Sequence, residues 1–254
     1  MKTLLALSAH LDDAAFSVGP LLTKVATDVR VVVATVFTKS VPDPGGFALA
    51  CQLDKGLPST ADYMAIRRNE DLEWSEMMGV EAIHGPFAEA PHRGYHDASA
   101  LFGAILPTDN IAVDLQTWLD HLIQSLVPDA VLTPLGLGNH VDHRWVCQIT
   151  RAAPSDQLAK GYFKDQPYAV KSKQESMASN QTDPCLNCES RLSLSATSLA
   201  RALAAAESYR TQIPFQFGGV DRMKSLLGSA WAQYLPIFHS ERDSAAIQFL
   251  GQPT

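Results

Sequence analysis

The chain opens on an unbroken apolar run, residues 3–9, that stops at His10. A run without polar alternation reads as a strand covered on both faces. Asp12 and Asp13 follow and suit a helix start, the helix being carried by residues 14–28 with Pro20 early in it. Residues 29–38 are β-branched almost throughout and read as a second buried strand. Pro42, Pro44, Gly45, Gly46, Gly56 and Pro58 mark residues 39–60 as a loop. Residues 61–79 read as a helix closing at Gly79, residues 80–84 as a short strand, and residues 85–108 as irregular. Ile111, Leu115, Trp118, Leu119, Leu122, Ile123 and Leu126 recur at helical spacing. A short strand at 128–134, framed by prolines, precedes a helix at 143–153. Strands alternating with helices in this order predict an α/β, Rossmann-like layered sandwich with a mainly parallel sheet.

The polar stretch 171–190 reads as a mobile insertion loop. Residues 195–254, helical through Tyr209 and mixed beyond it, read as a C-terminal extension of one domain spanning 1–254. Hydrophobic residues are 46% of the 254 and charged residues 19%, which gives a sizeable core and excludes wholesale disorder. The balance of 20 basic against 27 acidic residues, net −7, comes without any Lys/Arg run and argues against a nucleic-acid partner. Residues 1–16 resemble a short signal peptide, but Asp12 and Asp13 interrupt the apolar run where an export signal would continue. No stretch approaches a membrane span. The expectation is a cytoplasmic protein with no membrane partner. Cys185 and Cys188 form a single CxxC, read as a local disulfide or free thiols rather than a second metal site.

Two short clusters carry chemistry. His10-Leu11-Asp12-Asp13 ends the first strand, and His140-Val141-Asp142-His143 follows the strand at 128–134. Ligands in open α/β sheets bind beyond the carboxyl ends of the strands, so a parallel sheet brings both loops to one rim. A His/Asp/His set supplies nitrogen and oxygen ligands for a divalent ion and leaves a coordination position open. Each cluster alone also has a plain structural reading: Asp12 or Asp13 capping the helix, and His10 as a hydrogen-bonded strand end. Their pairing, each just after an apolar strand, points to a site.

Other motifs follow in order. Arg67 and Glu70 precede Met78-Gly79; Tyr162-Phe163-Lys164-Asp165 is followed by Pro167-Tyr168; Tyr209, Thr211 and Gln212 precede Glu241-Arg242. Together with the two His/Asp clusters, this set resembles the PIG-L/LmbE-like family of zinc-dependent N-deacetylases. Leu11 and Val141 stand where that family usually carries proline. The resemblance implies His10, Asp13 and His143 as zinc ligands, with another divalent ion compatible with the same donors. It implies Asp12 as the general base, His140 as electrophile or acid, and Asp142 as the group that orients a histidine. The implied substrate is an N-acetylated amino sugar or related small amide, releasing acetate and a free amine. The alternatives are an amidase acting on a non-sugar or longer-acyl amide, and a non-catalytic binding module on the same fold. A homo-oligomer is compatible with either. A nucleotide-binding protein is disfavoured, because residues 10–13 stand where a glycine-rich turn is needed. Arg67 and Arg68 are candidate substrate contacts, against an ion pair with Glu70. Arg93 and Tyr95, in the loop 91–96, are candidates for a sugar pocket, against a solvated loop.

Overall fold

The computed structural model describes residues 1–153, 158–171, 186–232, 234–247 and 250. In chain order the elements are β1 (Thr3–Ser8), α1 (Asp13–Val25), β2 (Arg30–Phe37), α2 (Gly46–Leu53), α3 (Tyr63–Met78) and β3 (Glu81–Phe87). Then come α4 (Ala98–Leu101), α5 (Ala112–Leu126), β4 (Ala130–Pro134), α6 (Val141–Ala152), β5 (Ala159–Phe163) and α7 (Tyr168–Lys171). The remainder is β6 (Cys188–Leu192), α8 (Ala196–Ala206), α9 (Ile213–Phe217), α10 (Val220–Trp231), β7 (Leu235–His239) and α11 (Ser244–Ile247).

The strands form a sheet in the order β3-β2-β1-β4-β5-β7-β6. The five strands from β3 to β5 are parallel, while β7 runs antiparallel to both β5 and β6. The unbroken apolar run of β1 is explained by its two neighbours in depth. Leu4 and Ala6 point into a core shared with Phe16, Trp74, Tyr209 and Trp231, whereas Leu5 and Leu7 point into one shared with Leu115, Leu119 and Val146. Both faces of the strand are therefore covered, and period-two alternation has no polar partner to reveal. The chain builds outward from β1 to β3, then returns to place β4 on the other side of β1. The crevice between the ends of β1 and β4 is thus a topological switch point, where open α/β sheets bind ligands.

Local signals account for most boundaries. Gly79 closes α3 in the left-handed conformation at φ 70°, which a glycine adopts without strain. The loop expected at 39–60 contains α2, because its Gly and Pro residues flank a helical stretch rather than fill it. The segment 85–108 is less irregular than its composition implies: β3 extends to Phe87, and α4 follows. The helix expected at 143–153 begins at Val141. The tail contributes two paired strands, β6 and β7, besides its helices. The insertion loop expected at 171–190 falls mainly on residues 172–185, outside the described residues, and its last three positions begin β6. Among the described residues, no helix is long and apolar enough to cross a membrane.

Gly85 is fixed by a close approach. The β2–β3 register shifts between Thr35 and Phe37, and a Cβ at Gly85 would collide with the backbone oxygen of Val36. Backbone inside a paired strand cannot retreat, so Gly85→Ala is expected to cost ~1–3 kcal/mol of stability. Denaturant unfolding measures this, and an unchanged midpoint would show that β3 yields.

Candidate active site

The two His/Asp loops meet at the switch point. The Ser8 hydroxyl donates to the His10 carbonyl at 2.7 Å and accepts the Ala14 N–H at 3.0 Å. Asp12 occupies the N-cap position of α1 yet makes no capping bond with its side chain. Ser8 does that work, which leaves the carboxylates of Asp12 and Asp13 free for the crevice.

Asp13 lies at the centre. Its Oδ2 accepts the His10 backbone N–H at 2.7 Å and sits 3.3 Å from His10 Nδ1 and 3.1 Å from His143 Nε2. The far nitrogen of each ring is committed elsewhere. His10 Nε2 donates to Asp142 Oδ2 at 3.0 Å, and His143 Nδ1 donates to Asp165 Oδ1 at 2.6 Å. With the far nitrogen committed, it is the nitrogen facing Asp13 that each imidazole would free, on losing a proton, as a metal ligand. His143 Nε2 is buried with no hydrogen-bond partner among the described residues. The ligand atoms of His10, Asp13 and His143 lie within 4.8 Å of one another. Two imidazole nitrogens and a carboxylate oxygen gathered this closely fit a divalent ion.

A second grouping, His10 with His140 and Asp142, is equally close but already occupied. Asp142 Oδ2 also accepts the Ala90 N–H at 3.0 Å, and its Oδ1 accepts from Arg93 at 2.7 Å. His140 caps α6, its Nδ1 accepting the Asp142 N–H at 3.2 Å. That bond makes Nε2 the protonated nitrogen of His140, a donor in a ring packed edge-on by His10 and Phe102. Burial and the nearby His10 push the His140 pKa down to about 3, so the ring is neutral.

The other ionisable groups diverge. Burial opposes charge on His10, but hydrogen bonds to Asp13 and Asp142 outweigh it and raise the pKa to about 9 without a metal. Burial likewise acts against Asp13, and the charge on His143 overrides it, holding the carboxyl below the usual carboxylate range. Asp12 goes the opposite way: burial and the charge of Asp13 push it up to about 7.

Arg67 lines the same cavity, paired with Glu89 and 3.5 Å from Asp12 Oδ1. Arg68 does not; it donates to the Thr38 carbonyl at 2.6 Å and to Ser40 Oγ at 3.1 Å, fastening α3 to the loop after β2. Glu70 takes no arginine of its own helix and instead accepts from the backbone and hydroxyl of Thr211. Arg93 and Tyr95 do not line the cavity. Arg93 bridges Asp142 to Asp109, and Tyr95, fully buried, donates to Asp109 at 2.9 Å. Their contribution is to hold Asp142 against His10. Asp165, Glu89 and Gln216 are among the residues at the site to which the sequence assigns no role. Asp165 and Glu89 each stand two residues beyond a strand, β5 and β3, a position that marks the rim of a parallel sheet. Gln216, on short α9, carries no such signal. Cys185 lies outside the described residues, and with it the CxxC pairing.

The PIG-L family model, described as GlcNAc-PI de-N-acetylase, matches residues 5–154. The chain belongs to the PIG-L family. It is 33% identical over 172 residues to 2'-N-acetylparomamine deacetylase of Streptomyces fradiae, a match covering 66% of this chain and 58% of that relative. The chain thus spans little more than half the length of that protein. The PIG-L fold is shared with the zinc-inhibited form of teicoplanin deacetylase at a TM-score of 0.81 and 23% identity, over 94% of this chain and 99% of the other. The A40926 pseudoaglycone deacetylase superposes at 0.77 with 25% identity, over 93% and 96% of the two chains. N,N'-diacetylchitobiose deacetylase from Pyrococcus horikoshii shares the fold more distantly, at 0.55 and 15% identity over 98% and 85%.

Proposed function

We propose that this PIG-L protein is a metal-dependent N-deacetylase that removes acetyl from an acetylated amino sugar or sugar conjugate. The observation that carries the reading is the Asp13-centred donor set with Asp12 beside it in one cavity. The named activities of its relatives, on 2'-N-acetylparomamine and on the A40926 pseudoaglycone, support the substrate class. His10, Asp13 and His143 would hold the ion, and two imidazoles with one carboxylate suit zinc. Bound there, the ion supplies Lewis acidity to the scissile carbonyl and acidifies the attacking water. Asp12 takes the proton of that water and delivers it to the departing amine. The neutral His140 offers its Nε2–H to the oxyanion that develops on the carbonyl oxygen. Asp142 and Asp165 accept from the far nitrogens, so that with an ion bound the nitrogens facing Asp13 would be the ones left bare.

The test is acetate release from a panel: 2'-N-acetylparomamine, N-acetylglucosamine, N-acylglucosamines of longer chain, an N-acetylated glycopeptide and a simple aryl acetamide. Metal content is measured on the same protein. Acetate is expected from at least one amino sugar, abolished by chelation and restored by zinc. Turnover only of the longer-acyl or non-sugar amides would replace this reading with a general amidase. No turnover by metal-replete protein would leave a binding module. Because the same ligands accept other divalent ions, restoration is compared across zinc, cobalt and manganese.

A further inference from the structure

One side chain reaches the proposed base from outside the segment that matches the family. Gln216 lies on α9, sixty residues and more beyond the matched 5–154, and its Nε2 donates to Asp12 Oδ2 at 2.6 Å. The amide nitrogen faces Asp12, the orientation that serves the ionised carboxylate, which only accepts. The other oxygen, Asp12 Oδ1, is buried with no hydrogen-bond partner among the described residues, and Arg67 stands off at 3.5 Å. A buried carboxylate oxygen left bare is costly unless something else completes it.

We infer that Gln216 is a positioning residue: it pins one oxygen of Asp12 and so dedicates the other to proton exchange with the attacking water. This rests on the deacetylase reading above. The last torsion of an aspartate is broad and two-fold, so an untethered carboxylate spreads its two oxygens over many directions. A single strong bond to Oδ2 removes that spread. The tether is itself fixed. Thr211 donates its backbone N–H and its hydroxyl to Glu70 of α3, at 2.9 and 2.7 Å, and Gln212 donates to the Tyr63 hydroxyl at 2.9 Å. Ile213 and Phe217 are buried, and Phe217 packs edge-on against Phe16 of α1 at 5.1 Å. Residues 211–217 are therefore clamped to the helix that starts at Asp13 and to the helix that carries Arg67. A base that must meet a water held beside Asp13 is aligned from the far side by a separate part of the chain.

Gln216→Met keeps the length and removes the donor. In the metal-loaded variant kcat is expected to fall about 10–100-fold, the scale of a small misplacement of a reacting group. KM should stay within about two-fold, and metal per chain and thermal midpoint should not change. In an Asp12→Asn background the same substitution should add less than about two-fold, because it acts through the group already removed. A crystal structure of Gln216→Met supplies a readout that needs no substrate: Asp12 should lose its single orientation while α9 and the His10–Asp13–His143 cluster stay in place. Losses that multiply in the double variant would overturn the inference, as would an Asp12 that does not move. A raised KM with unchanged kcat would do so too, assigning Gln216 to substrate binding through its Oε1, which is also buried and unpartnered. Absence of turnover in the parent protein would refute the deacetylase reading instead, and the crystal structure would still decide the role of Gln216.

Discussion

Asp12→Asn is expected to keep its metal and lose turnover by about 10²–10⁴-fold, the usual contribution of a positioned general base. Its neighbour should fail differently. Asp13→Asn removes the only anionic donor in the set formed with His10 and His143, so metal per chain should fall along with activity. The two carboxylates are adjacent in sequence yet diverge at the strand-to-helix turn. Asp13 Oδ2 lies between the two rings, whereas Asp12 is hydrogen-bonded by Gln216 on one oxygen and has only the Arg67 guanidinium, 3.5 Å away, near the other. Asparagine matches aspartate in size, so the comparison isolates charge and proton affinity from packing. Metal analysis and kcat on the same four preparations, with His140→Ala and His143→Ala alongside, complete the comparison. Metal lost from Asp12→Asn and retained by Asp13→Asn would exchange their roles.

The second large effect is on affinity rather than rate. His143→Ala should abolish stoichiometric metal binding, because it removes a buried imidazole nitrogen 3.1 Å from Asp13 Oδ2 in the proposed ligand set. Asp165→Asn should weaken binding by about 10–100-fold while leaving the direct ligands intact, the usual effect of removing a group that orients a ligand. The reason is the 2.6 Å bond from His143 Nδ1 to Asp165 Oδ1, which fixes which nitrogen is bare. Arg93→Ala should act in the same direction at one further remove, since Arg93 holds Asp142 and Asp142 holds His10. Competition with a chelating dye measures all three. An Asp165→Asn protein with unaltered affinity would show that burial alone orients the ring.

The parallel part of the sheet and the proposed ligands were legible because they rest on strong local signals. β1, β2 and β4 are short apolar runs, and His10, Asp13 and His143 lie just beyond two of them. What the sequence concealed is of another kind. Arg93 and Tyr95 combine a cation and an aromatic in a loop, a composition shared by sugar pockets and by buried networks. Only the partner Asp109, more than ten residues away, distinguishes the two. α2 was masked by flanking Gly and Pro, whose effect on a window extends past their own positions. The antiparallel strands β6 and β7 pair with each other across more than forty residues, and β7 alternates buried and half-buried positions over only five residues. Gln216 matters through one hydrogen bond between residues 204 apart, for which no periodicity exists.

The division of the site along the chain has a consequence for the order of synthesis. A nascent polypeptide that has emerged through residue 154 already carries His10, Asp13 and His143, but neither Asp165 nor Gln216. The proposed ligands and the group that tethers the proposed base are therefore completed at different points of synthesis. The residues proposed as ion ligands are synthesised before Gln216, whose contact with Asp12 needs α9 packed back onto α1 and α3. Cleavage between α8 and α9 would divide the site differently, leaving Asp165 with the two His/Asp clusters and putting Gln216 on the other fragment.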